Sequence, residues 1–257
     1  MRVVLATAYA AALYAFIFLP VAVLVLFSFQ GTLFPIPPFN GPSLRWYAAV
    51  LGDQRLTDGL LNSIVIAVMT SAVATLLGFL SAWGLARFRL PASPLLRGLI
   101  TLPLTVSYLI IGMGLLILFN ALGVPKSLLA AGIGHVVINL PLCFAILYSQ
   151  MSDNQANIER AARDLGAPDW KVLTLVTAPM LWPALFAAFF LSMTFSWDEF
   201  VIAFLLTRFE TTLPVEIWNL LRAGLNPKTN AVGALVFGVS IVLAVLFELV
   251  SLRKRPQ

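Results

Sequence analysis

The feature that most constrains this chain is a series of hydrophobic runs that contain no charged residue. The first lies between Arg2 and Arg45, and its segment from Tyr9 to Phe29 is long enough to cross the ~30 Å hydrocarbon layer of a membrane. Because a backbone in lipid must satisfy its own hydrogen bonds, such runs predict membrane-spanning helices. Five more runs follow, at residues 59–86, 98–125, 127–152, 172–197 and 229–247, so the sequence predicts an all-α membrane protein with six transmembrane helices.

Several residues predict departures from six straight helices. Residues 31–58 are rich in Pro, Gly and aromatic residues, which indicates an external loop with a short helix near residues 44–51. The first run is much longer than the roughly 7 to 15 apolar residues of a signal peptide, and no small-residue cleavage site follows it, so we expect it to be retained. Prolines inside the runs favour kinks, and they stand at Pro20, Pro103, Pro141 and Pro183.

The composition excludes several classes of function. The 257 residues are 60% hydrophobic and 11% charged, which is far from the composition of a soluble domain. Cys143 and His135 are the single cysteine and the single histidine, so the sequence offers neither a disulfide framework nor a Cys/His metal cluster. The net charge of +5 is scattered rather than gathered into a basic stripe, so we expect no nucleic-acid partner. No Gly-x4-Gly-Lys-Ser/Thr motif occurs, so we expect that this chain is not an ATP-binding subunit.

The distribution of basic residues predicts the orientation in the membrane. Six spans place both termini on one side, and the side with more Lys and Arg is expected to face the cytoplasm. The terminal side holds ten of the sixteen basic residues, against six on the other side, so we expect cytoplasmic termini. The ten are Arg2, Arg87, Arg89, Arg97, Arg160, Arg163, Lys171, Arg253, Lys254 and Arg255; the six are Arg45, Arg55, Lys126, Arg208, Arg222 and Lys228.

The longest charged segment between two hydrophobic runs extends from Asp153 to Pro179, on the predicted cytoplasmic side. Its first half, residues 155–165, has the apolar spacing of an amphipathic helix, at Ile158, Ala161, Ala162 and Leu165. Gly166 and Pro168 predict that this helix stops and a second one starts. We expect Asp153 or Asn154 to cap the first helix, and we expect ion pairs between residues four apart: Glu159 with Arg163, and Arg160 with Asp164.

This segment resembles the signature loop of permease subunits in type I ATP-driven importers. The residues that carry the resemblance are Arg160-Ala161-Ala162, Gly166 after three residues, and Val176-Thr177-Ala178-Pro179 after nine more. Arg160 stands where the family usually has Glu, and Ala178 where it has Leu; adjacent Glu159 is a candidate for the missing carboxylate. The resemblance implies the MetI-like permease fold and a loop that docks on a cytoplasmic ATPase subunit. The coupling residues implied are Glu159, Arg160, Ala161, Ala162, Asp164 and Gly166.

An acidic pair, Asp198 and Glu199, interrupts the fifth run. An ionisable residue inside a membrane usually faces a cavity or a partner, so this pair marks the predicted substrate pathway. On a continuous helix, Glu199 would share one stripe with Ser192, Ser196 and Ala203, which favours Glu199 as the cavity-facing residue and Asp198 as a contact to a partner helix. A solvated outer helix end is the alternative.

A second resemblance covers nearly the whole chain from about residue 40. Trp197-Asp198-Glu199-Phe200-Val201-Ile202 and the later Thr212-Leu213-Pro214, Ile217-Trp218 and Asn226-Pro227 are similar to the spermidine/putrescine branch of these permeases, as are Leu44-Arg45-Trp46-Tyr47 and Asn62-Ser63. Relatives often carry Pro-Glu where this chain has Ser107-Tyr108. Tyr108 can still offer its ring to a cation. The candidate pathway residues are Glu199, Asp198, Tyr108, Ser196 and Trp197.

The resemblance implies a permease subunit in the bacterial inner membrane that imports a small cation such as a polyamine. It also implies that this chain has no enzyme activity and no cofactor of its own, because a separate subunit hydrolyses ATP. The partners it implies are a second homologous permease or another copy of the chain, two ATPase subunits that carry ATP and Mg, an external binding protein, and membrane lipid. The alternatives are the same importer with another small solute, such as an amino-acid-like compound or an opine, an ion-coupled carrier, or an intramembrane enzyme. We expect a division into residues 1–58, a five-helix core at 59–252 that includes the coupling loop 153–179, and a basic tail at 253–257.

Overall fold

The computed structural model describes residues 2–88, 90–224 and 226–252. Its regular structure in these residues is helical. Four of the basic residues used for orientation (Arg89, Arg253, Lys254 and Arg255) and the predicted basic tail lie outside the described residues. The helices are α1 (Arg2–Ser28), α2 (Arg45–Leu51), α3 (Gln54–Arg87), α4 (Ser93–Thr101), α5 (Tyr108–Ala121), α6 (Leu128–Ser149), α7 (Asp153–Asp164), α8 (Asp169–Lys171), α9 (Ala178–Met180), α10 (Trp182–Trp197), α11 (Val201–Leu206), α12 (Leu213–Arg222) and α13 (Pro227–Leu252); a 3-10 turn covers Leu102–Thr105 and a π-helical segment covers Val172–Thr177.

Three predicted spans are confirmed as single helices. Within the described residues, Leu5–Ser28, Gln54–Arg87 and Leu128–Ser149 are each long and apolar enough to cross a membrane. Pro20 and Pro141 lie inside two of these helices without ending them. The short helix expected near residues 44–51 is α2, and the sixth predicted span corresponds to α13.

The third and fifth runs are not single helices, contrary to the sequence prediction. Residues 93–105 and 108–121 form two helical segments bent by 107°. Pro103 lies in the 3-10 turn, Val106 and Ser107 are extended, and the Ser107 hydroxyl accepts a hydrogen bond from Leu109 N, so a new helix starts there.

The fifth run is broken for a related reason. Residues 169–180 and 182–197 are bent by 77°. Pro183 has no N–H to donate to the carbonyl of Pro179, and it falls in the first turn of α10, where a missing N–H is tolerated. A second interruption, at residues 198–200, separates α10 from α11.

The chain divides into two compact units. The first combines the residues up to Gly59 with Leu213–Ala244, and the second is built mainly on Leu60–Thr212. In the first unit the buried Gln30 side chain holds the loop after α1, because its Nε2 donates to Ile36 O and Pro38 O at 3.1 Å and its Oε1 accepts from Asn40 N at 2.8 Å. The predicted partition into 1–58, 59–252 and 253–257 stays a prediction.

Two apolar clusters of described residues contribute to the core of the second unit. Gly78 lets α3 approach α6 closely, since a Cβ there would lie 2.8 Å from the backbone nitrogen of Phe144. One cluster joins α3, α6 and α10 through Ala74, Phe79, Ala82, Leu85, Cys143, Phe144, Leu147, Leu181 and Ala188. The other packs α11 against α5 and α6 through Ile66, Phe119, Ala130, Ala131, Ile138, Ile202 and Leu206.

Candidate functional site

The predicted coupling segment folds as a helical hairpin in the second unit. Ser152 caps α7, because its Oγ accepts from Gln155 N and its own N–H donates to Gln155 Oε1, both at 3.4 Å. The expectation that Asp153 or Asn154 is the cap is therefore wrong. The reciprocal Ser152–Gln155 bonds form a capping box, and Asp153 lies in the first turn of α7, where its negative charge suits the helix N-terminus.

Gly166 forms the turn between the two arms of this hairpin. Its φ of +87° lies in the left-handed region that favours glycine. Gly166 N donates to Arg163 O at 2.8 Å and Ala167 N donates to Ala162 O at 3.1 Å, the two bonds of a Schellman ending. Pro168 then precedes α8. The predicted stop and restart of the helix are confirmed.

The expected ion pairs along α7 do not form. Glu159 is completely buried and pairs with Arg87 at the end of α3, whose Nε lies 2.8 Å from Glu159 Oε2. Arg163 pairs with Asp169 across the turn at 2.8 Å. Arg160 donates instead to Asn157 Oδ1 at 2.7 Å. Glu159 points inward, so it cannot present its carboxylate to a docking partner in place of the usual family Glu.

The apolar face predicted for α7 is turned outward. Ile158, Ala161 and Leu165 are exposed, and Leu165 keeps 90% of its surface accessible. Trp170 on the second arm is also 63% exposed. The hairpin thus presents apolar side chains beside Arg160 and Asp164, a composition that suits a protein partner.

The acidic pair lies at the interruption between α10 and α11. The carboxylate of Glu199 accepts hydrogen bonds from Ile202 N at 2.9 and 3.0 Å and from Ala203 N at 3.2 Å. It therefore satisfies backbone donors that the start of α11 leaves free, and its negative charge suits a helix N-terminus. Glu199 is only 5% exposed, so the expectation that it faces an open cavity is wrong. The assumed continuous helix does not exist here, and the carboxylate turns back to its own backbone.

Ser196, which shares the predicted stripe with Glu199, belongs to a buried polar cluster. His135 Nδ1 and Ser196 Oγ are 2.7 Å apart, and Ser196 Oγ is 3.0 Å from Thr70 Oγ1. His135 Nε2 lies 3.5 Å from Glu199 Oε2. The cluster connects α3 and α6 to the end of α10 and to Glu199 within the break. Sequence reasoning missed His135 and Thr70, although a single polar residue within an apolar run was the available signal.

The remaining pathway candidates differ in how much of their surface is exposed. Trp197 is buried, at 3% exposed, whereas Asp198 is exposed at the break. Tyr108 is the first residue of α5, immediately after the bend of the third run, and 38% of its surface is exposed. Asp198 and Tyr108 therefore both lie at helix interruptions, where irregular backbone in a membrane protein lines a cavity or is buried in protein. The assignment of all five residues to a substrate pathway stays a prediction.

Comparison with known proteins identifies the family. Residues 74–256 match the model of the binding-protein-dependent transport system inner membrane component. The chain belongs to this family. The match begins in the middle of α3 and includes the α7 hairpin, the bends of the third and fifth runs and the interruption at residues 198–200, so every site residue predicted from the sequence lies within it.

Individual members of the family resemble the chain over most of its length. The spermidine/putrescine transport system permease protein PotC of Escherichia coli is 28% identical over 242 residues, which cover 93% of this chain and 91% of that protein. The putrescine transport system permease protein PotI of the same organism is 33% identical over 233 residues, covering 88% and 83%.

Solved structures of ABC transporters share the fold of this chain. A bacterial ABC transporter involved in the import of the acidic polysaccharide alginate has a chain that matches with a TM-score of 0.70 at 19% identity, covering 98% of this chain and 96% of that one. The alginate transporter in complex with an alginate pentasaccharide-bound periplasmic protein matches with a TM-score of 0.71 at 16% identity, covering 98% and 94%. The chain is thus an all-α, multi-pass inner membrane protein with the ABC importer permease fold.

Proposed function

We propose that this chain is one permease subunit of an ATP-driven importer for polyamines such as spermidine or putrescine. The observation that carries the proposal is the similarity to PotC and PotI over most of the chain, which includes the α7 hairpin and the break at Asp198. The partners are a second homologous permease or another copy of this chain, two ATPase subunits that bind ATP and Mg, and an external substrate-binding protein.

The α7 hairpin is the proposed docking site for the ATPase. Its exposed apolar residues and Arg160 form the outward surface, and the Gly166 turn fixes the direction of the second arm. Both termini and this hairpin lie in the cytoplasm, as the distribution of basic residues predicts. Movement of the hairpin with the ATPase would shift rigid helices so that the pathway opens alternately to each side.

Asp198 is the proposed cation-attracting group of the pathway. It is exposed at a helix break within an apolar segment, where a carboxylate attracts a polyamine more strongly than it would in bulk water. Tyr108 supplies an aromatic face at the bend of the third run, and such a face contributes about 0.5 to 2 kcal/mol to the binding of a cation. Glu199 acts indirectly, by holding the break in shape.

Reconstitution tests this function. The chain is co-purified with its partner subunits, placed in liposomes with ATP inside and the loaded binding protein outside, and uptake of labelled spermidine and putrescine is measured. We expect uptake that requires ATP hydrolysis and falls at least fivefold in Asp198→Asn, with the exposed Glu210→Gln as the matched charge-removal control. Uptake of an anion or an uncharged solute instead would overturn the polyamine assignment, and uptake without any ATPase would favour an ion-coupled carrier.

Labelling tests the orientation. Cys143 is fully buried, so an added cysteine can be labelled separately. We expect cysteines placed at Asn157 and at Glu210 to react with a membrane-impermeant reagent from opposite sides of the membrane. Reaction of both from one side would contradict the proposed topology.

A further inference from the structure

A buried guanidinium connects α3 to α7, although the two are far apart in sequence. Arg87 is the last residue of α3, and its Nε donates to Glu159 Oε2 at 2.8 Å. Its Nη2 donates to Ser152 O at 3.3 Å. Arg87 therefore contacts α7 at two points about two turns apart, the residue that caps its N-terminus and a carboxylate in its middle.

The burial of this pair makes each charge dependent on the other. The side chains of Arg87 and Glu159 are 8% and 0% exposed, and the other carboxylate oxygen, Glu159 Oε1, is buried with no hydrogen-bond partner among the described residues. Removing one member of such a pair leaves an uncompensated charge, which is strongly unfavourable. The other ion pair of the hairpin, Arg163 with Asp169, is 31% and 57% exposed, so water can replace either partner.

The position of the pair gives it a mechanical role. The described element that α7 packs against most is the segment that follows it, Val172–Thr177, and short linkers join the hairpin to α6 and α10. α3 has no such covalent link to the hairpin, because residues 88–152 separate them. A displacement of α7 would therefore reach α3 directly through the buried Arg87–Glu159 pair, in addition to the packing of α3 against α6 and α10.

We infer that Arg87 and Glu159 are positioning residues that transmit movement of the docking hairpin to α3 and so keep ATP hydrolysis coupled to transport. This inference rests on the proposed importer function and adds to it. It assigns to Glu159 an internal connection within the permease, distinct from the outward surface that contacts the ATPase.

The test uses the complete complex in liposomes and measures the ratio of substrate imported to ATP hydrolysed. For Glu159→Gln we expect assembly with the ATPase and ATP hydrolysis within about twofold of the wild type, but a ratio at least fivefold lower. The conservative Glu159→Asp should lose less, and the reversed pair Arg87→Glu/Glu159→Arg should recover part of the ratio. Glu210→Gln, which removes an exposed carboxylate elsewhere, should keep the wild-type ratio.

A second variant keeps the test decisive if Glu159→Gln accumulates poorly. Replacement of both charges by apolar side chains, Arg87→Met/Glu159→Leu, removes the uncompensated charge and is expected to restore the amount of folded complex. The inference predicts that this double variant still has a ratio at least fivefold below the wild type. A wild-type ratio in it, or in a fully assembled Glu159→Gln complex, would show that the pair serves folding alone and would overturn the inference.

The same measurements separate this inference from the importer function itself. If the wild-type complex shows no ATP-driven uptake of any solute, the proposed function fails. If it shows such uptake and the variants keep the wild-type ratio, the importer function stands and the role of the pair is refuted.

Discussion

Two glutamates in the second unit are almost completely buried, but the protein compensates their charges in different ways. Glu159 meets the guanidinium of Arg87, a side chain from a helix distant in sequence. Glu199 meets the backbone N–H groups of the residues that follow it, with His135 Nε2 at 3.5 Å. The first arrangement fixes the distance between two elements, whereas the second fixes the local path of one chain segment.

This difference shows why two acidic residues in similar apolar surroundings have different expected functions. A side-chain pair between α3 and α7 is suited to transmitting displacement, because neither helix can move relative to the other without separating the charges. A carboxylate that caps its own helix keeps the break between α10 and α11 in one conformation, and the neighbouring Asp198 stays exposed there. The predictions below test these two roles in order of decreasing effect.

The largest effect is expected from Glu199→Leu. This variant leaves the N–H groups of Ile202 and Ala203 without their acceptor. Each buried unsatisfied group lowers the free energy of unfolding by about 1 to 3 kcal/mol. Glu199→Gln retains one acceptor oxygen, so its free energy of unfolding should fall by only about 1 kcal/mol. Thermal unfolding of the purified protein in detergent measures both. Equal stability of Glu199→Leu and the wild type would refute the capping role.

The packing of α11 can be disturbed without touching any charge. A side chain at Gly134 would meet Ile202 and Leu206, so Gly134→Val should force α11 away from α6 and destabilise the protein by about 1 to 3 kcal/mol. Gly114→Val is the matched control, because among the described residues nothing lies within 4 Å of a Cβ placed there. If the two variants unfold at the same temperature, close packing of α11 does not support the Glu199 cap.

The hairpin that carries Glu159 can also be changed without altering its charge. Gly166→Val places a β-branched residue at a φ of +87°, a strain of about 1 to 3 kcal/mol that falls on the turn. We expect ATP-driven uptake to be lost while the spans remain folded, with Gly166→Asn retaining much more uptake because Asn tolerates this conformation. Normal uptake by Gly166→Val would remove the hairpin from the coupling mechanism.

The sequence predicted the elements of this fold better than its contacts. Charge-free runs located the spans, and the spacing of Gly166 and Pro168 located the hairpin turn, because both are local properties of the chain. The bends at Pro103 and Pro183 were foreseen only as kinks, since the size of a bend depends on which neighbouring groups satisfy the freed backbone. The partner of Glu159 was predicted wrongly as Arg163, four residues away, because Arg87 becomes its neighbour only after α3 and α7 have packed.

The smallest effect is expected from a third carboxylate, which has a cation partner like Glu159 but more solvent. Asp53 precedes α3 and pairs with Lys228, with side chains 29% and 17% exposed. The hydrogen bond from Lys228 holds the pKa of Asp53 below its usual value. The pair therefore stabilises the folded state at a pH above the ordinary aspartate pKa, and this stabilisation is lost as the pH falls through the lowered pKa.

Because both side chains are partly exposed, we expect Asp53→Asn to lower the free energy of unfolding by about 1 kcal/mol or less at pH 7. The difference in unfolding temperature between the wild type and this variant should shrink from pH 7 to pH 3, because protonation of Asp53 removes the same charge. A difference as large as that of a single Glu159 variant would mean that burial does not explain the contrast between the pairs.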